Sequence, residues 1–459
     1  MEDGSVHFVG IGGIGMSAMA RILLARGERV SGSDSGGSAL VDALRAEGAQ
    51  IALGHAAANI DRASALVVSS AIASQNPECL AAQERGIPIF SRGQMLARLM
   101  EERRGIAVCG THGKTTTTAM AAAVLRAGEV DASLVLGGIA IDTGTNAHHG
   151  DAPWFLTEAD ESDGSFALLD PAIAVLTNIE NDHLASDAEV PKLVASFERF
   201  LEKLPADGLA IVGTDNAHSA SLARCKRRAP TVTFGFGDGA DIRPARVRYA
   251  NLGAQFDVLE GRETLGSASL CVPGRINVEN ALASIAVGRA LQIPFARIAD
   301  ALHGFSGVRR RFEILIRCER MTVVDDYAHH PTAVRATIAA ARHYHRGPIL
   351  VAFQPHRYSR TAYLAGDFAD ALREADAVYL APVYAASETP IAGVSERSIG
   401  EPLARLNPNV EYVRAVEDLP AILLRDAPAG ALVLFLGAGN ITRVAAKLAS
   451  DLSPSVLHS

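Results

Sequence analysis

Short apolar runs recur along this chain, each followed by a glycine-rich or acidic turn and then by a stretch with helical periodicity. Val6-His-Phe-Val9, Ala65-Leu-Val-Val-Ser69, Ile87-Pro-Ile-Phe90, Ile106-Ala-Val-Cys109, Trp154-Phe-Leu-Thr157 and Ile173-Ala-Val-Leu-Thr-Asn-Ile179 read as buried strands. Met321-Thr-Val-Val-Asp-Asp326, Ile349-Leu-Val-Ala-Phe353, Ala377-Val-Tyr-Leu380 and Leu432-Val-Leu-Phe-Leu436 continue the series. Helical patterns over 16–26, 93–102, 119–126, from Ala281 onward and over 332–343 lie between them, and this alternation predicts doubly wound parallel sheets. After Pro205 the pattern changes to short alternating pieces, Val232-Thr-Phe234, Ala254–Val258 and Ser267–Val272, which predict antiparallel strands appended to the middle sheet. The 459 residues exceed one core and, at about 150 residues per domain, suggest three. The fold class is therefore α/β: an N-terminal Rossmann-like domain, a central sheet of the phosphate-loop type with a small antiparallel addition, and a C-terminal Rossmann-like domain. Arg103-Arg-Gly105 reads as the first linker.

Composition narrows the function classes. An apolar fraction of 48% supports a core in each domain, and a net charge of −8 argues against nonspecific binding to nucleic acid or anionic membrane. Five cysteines, Cys79, Cys109, Cys225, Cys271 and Cys318, show no paired or zinc spacing and fall mostly in apolar runs, as buried thiols in a reducing compartment would. Neither a signal-peptide pattern nor a run of eighteen apolar residues occurs, so a cytoplasmic protein with no membrane partner is expected, as a monomer or homodimer.

The chemistry centres on Gly110-Thr111-His112-Gly113-Lys114-Thr115-Thr116, placed between a buried strand and a helix. Free N–H groups at a helix start, with the helix dipole behind them, suit a triphosphate, so ATP is the expected ligand. Lys114 would reach its outer phosphates and the Thr115 hydroxyl its magnesium, although only two residues separate the glycines where the usual motif has four. Upstream, the Gly10–Gly15 loop with Gly12, Gly13, Ile14 and Gly15 follows a strand, and Asp34 ends the next one. That pattern specifies backbone against a diphosphate and admits either a dinucleotide or a nucleotide-diphosphate sugar. Ser69 and Ser70 end a strand of the same sheet, and the turn histidine His55 is a further candidate there. Four carboxylates in Glu158-Ala-Asp-Glu-Ser-Asp163, and His183 after the following strand, would reach the same edge as Thr115, an oxygen-rich set with one imidazole suited to Mg²⁺ or Mn²⁺. Asn277 and Asn280, one helical turn apart, could present amides to a purine or serve the helix start. In the last domain Asp326, Tyr327, His329, Arg357 and Arg360 lie at strand ends, and Arg309, from the cluster Arg309-Arg-Arg311, could stabilise a transferred phosphoryl group.

Together these stretches, with Asn178-Ile-Glu-Asn-Asp-His183, Asp325-Asp-Tyr-Ala-His-His-Pro331 and Gln354-Pro-His-Arg357, resemble the ATP-dependent Mur ligases from His7 to about Ile441. The resemblance implies domains over 1–102 for UDP-N-acetylmuramate, 103–306 for ATP, and 307–459 for ATP and amino acid. It implies joining of L-alanine to UDP-N-acetylmuramate through an acyl phosphate. It also implies phosphate clamping by Lys114, metal binding by Thr115, Glu158 and His183, adenine beside Asn277 and Asn280, and ribose beside Asp326. Tyr327, His329, Arg357 and Arg360 would face the substrate end. Two positions depart from the family pattern, Ile276 for a histidine and Ala185 for an aspartate. A ligase that returns murein tripeptide to the same nucleotide, and a nucleotide-binding protein without ligase chemistry, are the alternatives.

Overall fold

The computed structural model describes residues 4–161, 164–181, 189–386 and 388–453. Three α/β units follow one another along the chain. In the first, five parallel strands lie in the spatial order Gln50–Leu53, Val30–Asp34, Ser5–Val9, Ala63–Val68, Ile89–Ser91. The strand order reverses beside Ser5–Val9, and its carboxyl end is where a sheet of this topology opens to ligand. Proline explains one shift from expectation: the last strand starts at Ile89, because Pro88 has no N–H for a ladder.

Among the described residues the central sheet has ten strands. Arg104–Cys109 lies between Ile173–Leu176 and Trp154–Glu158, all parallel, so the turns after these three neighbours share one edge. Val232–Phe234, expected to be antiparallel, instead lies within Thr231–Phe234, which pairs parallel with Leu209–Gly213; helix Ala217–Ala223 between them makes the connection a crossover, not a hairpin. The antiparallel addition is Ile242–Ala250, Gly253–Glu260 and Glu263–Leu270. In the third unit the order is Glu313–Arg317, Met321–Asp326, Ala431–Leu436, Ile349–Phe353, Ala377–Leu380, Val410–Tyr412, parallel except for the first.

Packing divides these units unequally. Leu96 and Leu99 of the first unit belong to one continuous core with Phe166, Phe197 and Phe200 of the second, and the Phe166 ring lies 5.2 Å from each of the other two. Residues of the C-terminal unit form separate clusters on the two faces of its own sheet. Apolar burial therefore fixes the first two units to each other, whereas the third keeps cores of its own and lends Val308 to the central one. Among the cysteines, Cys79 and Cys109 are buried as expected, but Cys271 is exposed just beyond the hairpin strand Glu263–Leu270. Among the described residues no helix is long and apolar enough to cross a membrane.

Candidate active site

Side chains close several helix starts in the first unit. Ser38, Asn76 and Ser91 accept backbone N–H groups at the starts of Ala39–Ala46, Pro77–Glu84 and Arg92–Met100. By contrast Gly13 and Gly113 stand before Ile14–Ala25 and Lys114–Ala127 with no side-chain cap, so the N–H groups of both helices are presented to whatever binds there. Gly113 has φ +83° and Gly110 φ +122°, and a Cβ at Gly110 would overlap the Thr177 hydroxyl and the Asn178 backbone.

The loop between these glycines is bound to the end of the neighbouring strand. Asn178 Oδ1 accepts the His112 N–H at 2.8 Å, the Thr177 hydroxyl donates to the His112 carbonyl at 2.7 Å, and the Glu180 N–H donates to Thr111 Oγ1 at 2.8 Å. Lys114 folds over the loop, donating to Gly110 O at 2.6 Å and to Glu161 Oε2 at 2.7 Å. Burial would depress the Lys114 amine, but Glu161, then Asp160 and Glu158, outweigh it and hold the ammonium charged. Burial pushes the Glu161 carboxyl up in spite of the lysine.

Thr115 Oγ1 donates to Glu158 Oε2 at 2.9 Å, and the Gly137 N–H donates to Glu158 Oε1 at 2.6 Å. Burial raises the Glu158 carboxyl, opposed by Gly137 and Thr115. Two hard oxygen donors side by side at the phosphate loop fit Mg²⁺ or Mn²⁺. His183, the third expected ligand, and Ala185 lie outside the described residues.

The two glycine loops open onto one cleft of about 770 Å³, lined by Ile14, Gly15 and Arg92 from the first unit, His112 to Thr116 from the second, and Asp326 to His330 from the third. Arg92 donates to Asp160 at 3.3 Å across the first boundary. Asn146 is fully buried there too, donating to Ile14 O at 2.7 Å and Ser17 Oγ at 2.9 Å and accepting from Arg21. Asp34 accepts the Gly12 N–H at 2.9 Å and so shapes the turn itself. His55 is more than a solvated turn residue: its Nδ1 lies 3.0 Å from Ser33 Oγ and 3.3 Å from the buried Glu78 carboxylate. Ser69 and Ser70 follow the strand Ala63–Val68 and do not line the common cleft.

Several expected residues have different first partners. Arg309 is half exposed and pairs with Glu313 at 3.0 Å, whereas Arg311 reaches Thr115 Oγ1 at 3.3 Å across the second boundary. Arg311, with Glu180 and His330, was not singled out in the sequence, and Glu161 stood only as one of four carboxylates. Asn280 accepts from the Thr117 hydroxyl at 3.1 Å and donates to Asn277 Oδ1 at 3.1 Å, while Asn277 donates to Pro273 O at 2.7 Å. These amides fasten helix Arg275–Ala290 to the phosphate-loop helix, with one amide hydrogen left on each for a base. Asp326 is buried and accepts from Phe312 N–H at 2.9 Å, Ala328 N–H at 2.7 Å and Thr337 at 3.3 Å, leaving about one lone-pair direction for a ribose. Tyr327 and His329 rings are 4.9 Å apart, His329 and His356 5.7 Å, and His356 stacks on Tyr384, whose carbonyl accepts the Arg357 N–H at 2.8 Å. Arg357 has φ +71°, and Arg360 one turn on is buried.

Three units, two glycine-capped helix starts and a shared cleft define a protein of the Mur ligase family, to which this chain belongs. The family's catalytic-domain model matches residues 5–104, its middle-domain model 108–288 and its glutamate ligase domain model 310–439. Among relatives, the UDP-N-acetylmuramate–L-alanine ligase of Desulforamulus reducens is 44% identical over 455 residues, covering 98% of both chains. That of Agrobacterium fabrum is 42% identical, covering 98% of this chain and 97% of its own. The crystal structure of a UDP-N-acetylmuramate–alanine ligase from Thermotoga maritima superposes with a TM-score of 0.84 at 30% identity, covering 97% of this chain and 98% of that one. A murein peptide ligase from Psychrobacter arcticus, 23% identical, shares the fold with a TM-score of 0.73 over 98% of this chain and 100% of its own.

Proposed function

We propose that this chain joins L-alanine to UDP-N-acetylmuramate at the expense of ATP, in the cytoplasm, as an early step of peptidoglycan synthesis. The observation that carries the reading is the common cleft, where the N-terminal glycine loop and the phosphate loop are lined up on one cavity. The units divide at 102/103 and 306/307; the first holds the nucleotide sugar, the second ATP, and the third ATP and the amino acid. Whole-chain likeness to ligases of this name supports the choice of substrates.

The glycine loop at Gly12 to Gly15 takes the diphosphate of the nucleotide sugar and leaves its muramate carboxylate toward Arg92 and the phosphate loop. Lys114 exchanges Glu161 for the outer phosphates of ATP, and Arg311 reaches the same phosphates from the third unit. A magnesium ion held by Thr115, Glu158 and His183 would neutralise phosphoryl oxygens. The carboxylate attacks the γ-phosphorus and ADP leaves. The row Tyr327, His329, Arg357 and Arg360 holds L-alanine, whose amine attacks the acyl carbon and expels phosphate. Closure of the third unit excludes water from the acyl phosphate.

Purified protein with ATP, Mg²⁺, UDP-N-acetylmuramate and L-alanine should release ADP and form the alanyl product by mass. Without alanine, hydroxylamine should trap the acyl phosphate as a hydroxamate. Turnover with murein tripeptide and silence with L-alanine would assign the recycling reaction instead; nucleotide binding without either product would reject a ligase.

A further inference from the structure

The ring of His112 has no part in the chemistry above. Its Nε2 lies 3.3 Å from Glu180 Oε2. From the third unit His330, at the start of helix Pro331–Tyr344, brings a second ring to 5.4 Å from it, and His330 Nε2 lies 3.1 Å from the Asn181 carbonyl oxygen. One ligand atom from each of His112, Glu180 and His330 lies within 4.8 Å of the other two, and among the described residues this is the one such group of three.

We propose that His112, Glu180 and His330 form a site for a divalent transition metal of the zinc class, which staples the C-terminal unit to the phosphate loop and slows turnover. Two imidazoles and a carboxylate are a zinc donor set, unlike the oxygen pair Thr115 and Glu158 nearby. In a tetrahedral site with bonds of about 2.1 Å the donors stand about 3.4 Å apart. His112 and Glu180 already meet that spacing, and drawing His330 in asks at most about 1.4 Å of side-chain movement. The Asn181 carbonyl orients the His330 ring, as outer partners of metal-bound histidines do.

The mechanical consequence follows from the packing. His112 and Glu180 belong to the unit that shares a core with the first, and His330 to the unit with cores of its own. A metal bound to all three favours the closed arrangement by its own binding free energy, and ADP and product must leave through opening. Metal binding rests on the side-chain geometry alone; slowed turnover rests also on the ligase reading.

Apo protein titrated with zinc chloride against a chromophoric chelator should show one tight equivalent. That equivalent should weaken by more than about 100-fold in His330→Gln and in Glu180→Gln, since loss of even an outer partner costs 10–100-fold. It should survive in Glu158→Gln. In excess Mg²⁺, low zinc should slow ADP release by the wild type, while His330→Gln should keep its own zinc-free rate. No tight equivalent in the wild type, its persistence in either Gln variant at the triad, or its loss in Glu158→Gln would overturn the site. If thermal unfolding shows one triad variant misfolded, the other decides. Equal zinc inhibition of wild type and His330→Gln would overturn the staple. Zinc bound as described by a chain that makes no acyl phosphate would sink the ligase reading and leave the metal site standing.

Discussion

Replacing Lys114 by Met should do two separable things, because this lysine is both a phosphate ligand and the partner of a buried acid. Glu161 is only 4% exposed, and its oxygen lies 2.7 Å from the ammonium. Left ionised and unpaired in that place it would cost several kcal/mol. Taking a proton at pH 7, from an ordinary value of 4.5, costs about 3 kcal/mol at about 1.4 kcal/mol per pH unit. Protonation is the cheaper outcome and caps the penalty. The midpoint of thermal unfolding of the central unit should therefore fall by no more than about 6–12 °C at pH 7, at about 2–4 °C per kcal/mol for a unit of this size, since burial already raises the Glu161 carboxyl in the wild type. The sign with pH follows: the orphaned Glu161 has a folded pKa above its unfolded one, so the deficit grows as pH rises from 4.5 and shrinks to under about 1 kcal/mol at pH 5. Adding Glu161→Gln to Lys114→Met removes the buried acid and should restore the midpoint, yet ADP release should stay at least about 100-fold down, the cost of losing a donor to the transferred phosphoryl group. Calorimetry at pH 5 and 7 and an ADP-release assay on the three proteins give both answers. An unshifted midpoint in Lys114→Met would refute the buried pair, and an active double variant would refute the clamp.

Arg311→Ala should lower kcat by about 100-fold or more, whereas Arg309→Ala, which removes a half-exposed arginine paired within its own segment, should cost less than about tenfold; a steady-state comparison with the order reversed would restore Arg309 to the phosphoryl group. Asn146→Leu removes its hydrogen bonds to the Ile14 carbonyl, Ser17 and Arg21, although Ile14 keeps the Ser17 hydroxyl and Arg21 keeps Glu47, a loss of about 0.5–1.5 kcal/mol per bond that should raise KM for the nucleotide sugar more than it lowers kcat. Burial opposes ionisation of Glu78, but His7, Ser33 and Asn59 win and hold its carboxyl at about 2, below the ordinary 4.5. Its ionised form therefore contributes about 3 kcal/mol above pH 4.5, lost as pH falls from 4.5 toward 2, and Glu78→Gln should flatten the urea midpoint across that window; parallel wild-type and variant curves would refute it.

What the sequence made legible was local. A buried strand, two glycines with left-handed backbone and a helix without a side-chain cap are a single continuous stretch, so Gly110 to Thr116 could be read directly. Glu161 could not, because it sits in a run of carboxylates, and only the curl of the chain after Trp154–Glu158 decides which of them turns to Lys114. The arginine run was ambiguous for a backbone reason. Arg310 and Phe312 have φ of +61° and +51°, so the segment before Glu313–Arg317 does not alternate as a strand would; Arg309, Arg310 and Arg311 all line the cleft, and Arg311 is the one that reaches Thr115. Glu78, in the first turn of an ordinary capped helix, looks solvated until Ser33, His7 and Asn59 converge on it from other elements.

Two of the contacts that were missed share a location. Arg311 to Thr115 and His330 to the Asn181 carbonyl both cross from the C-terminal unit to the central one, and each depends on the relative orientation of two separately packed bodies. Hydrophobic pattern fixes the interior of a body and says nothing of how a second body lies against it. The first boundary differs, because Leu96 and Phe166 bury apolar surface in one core and Asn146 is fastened inside it. Cutting a polar contact at the second boundary should therefore shift the balance between open and closed cleft without unfolding either body, whereas cutting one at the first should register in stability as well as in substrate affinity.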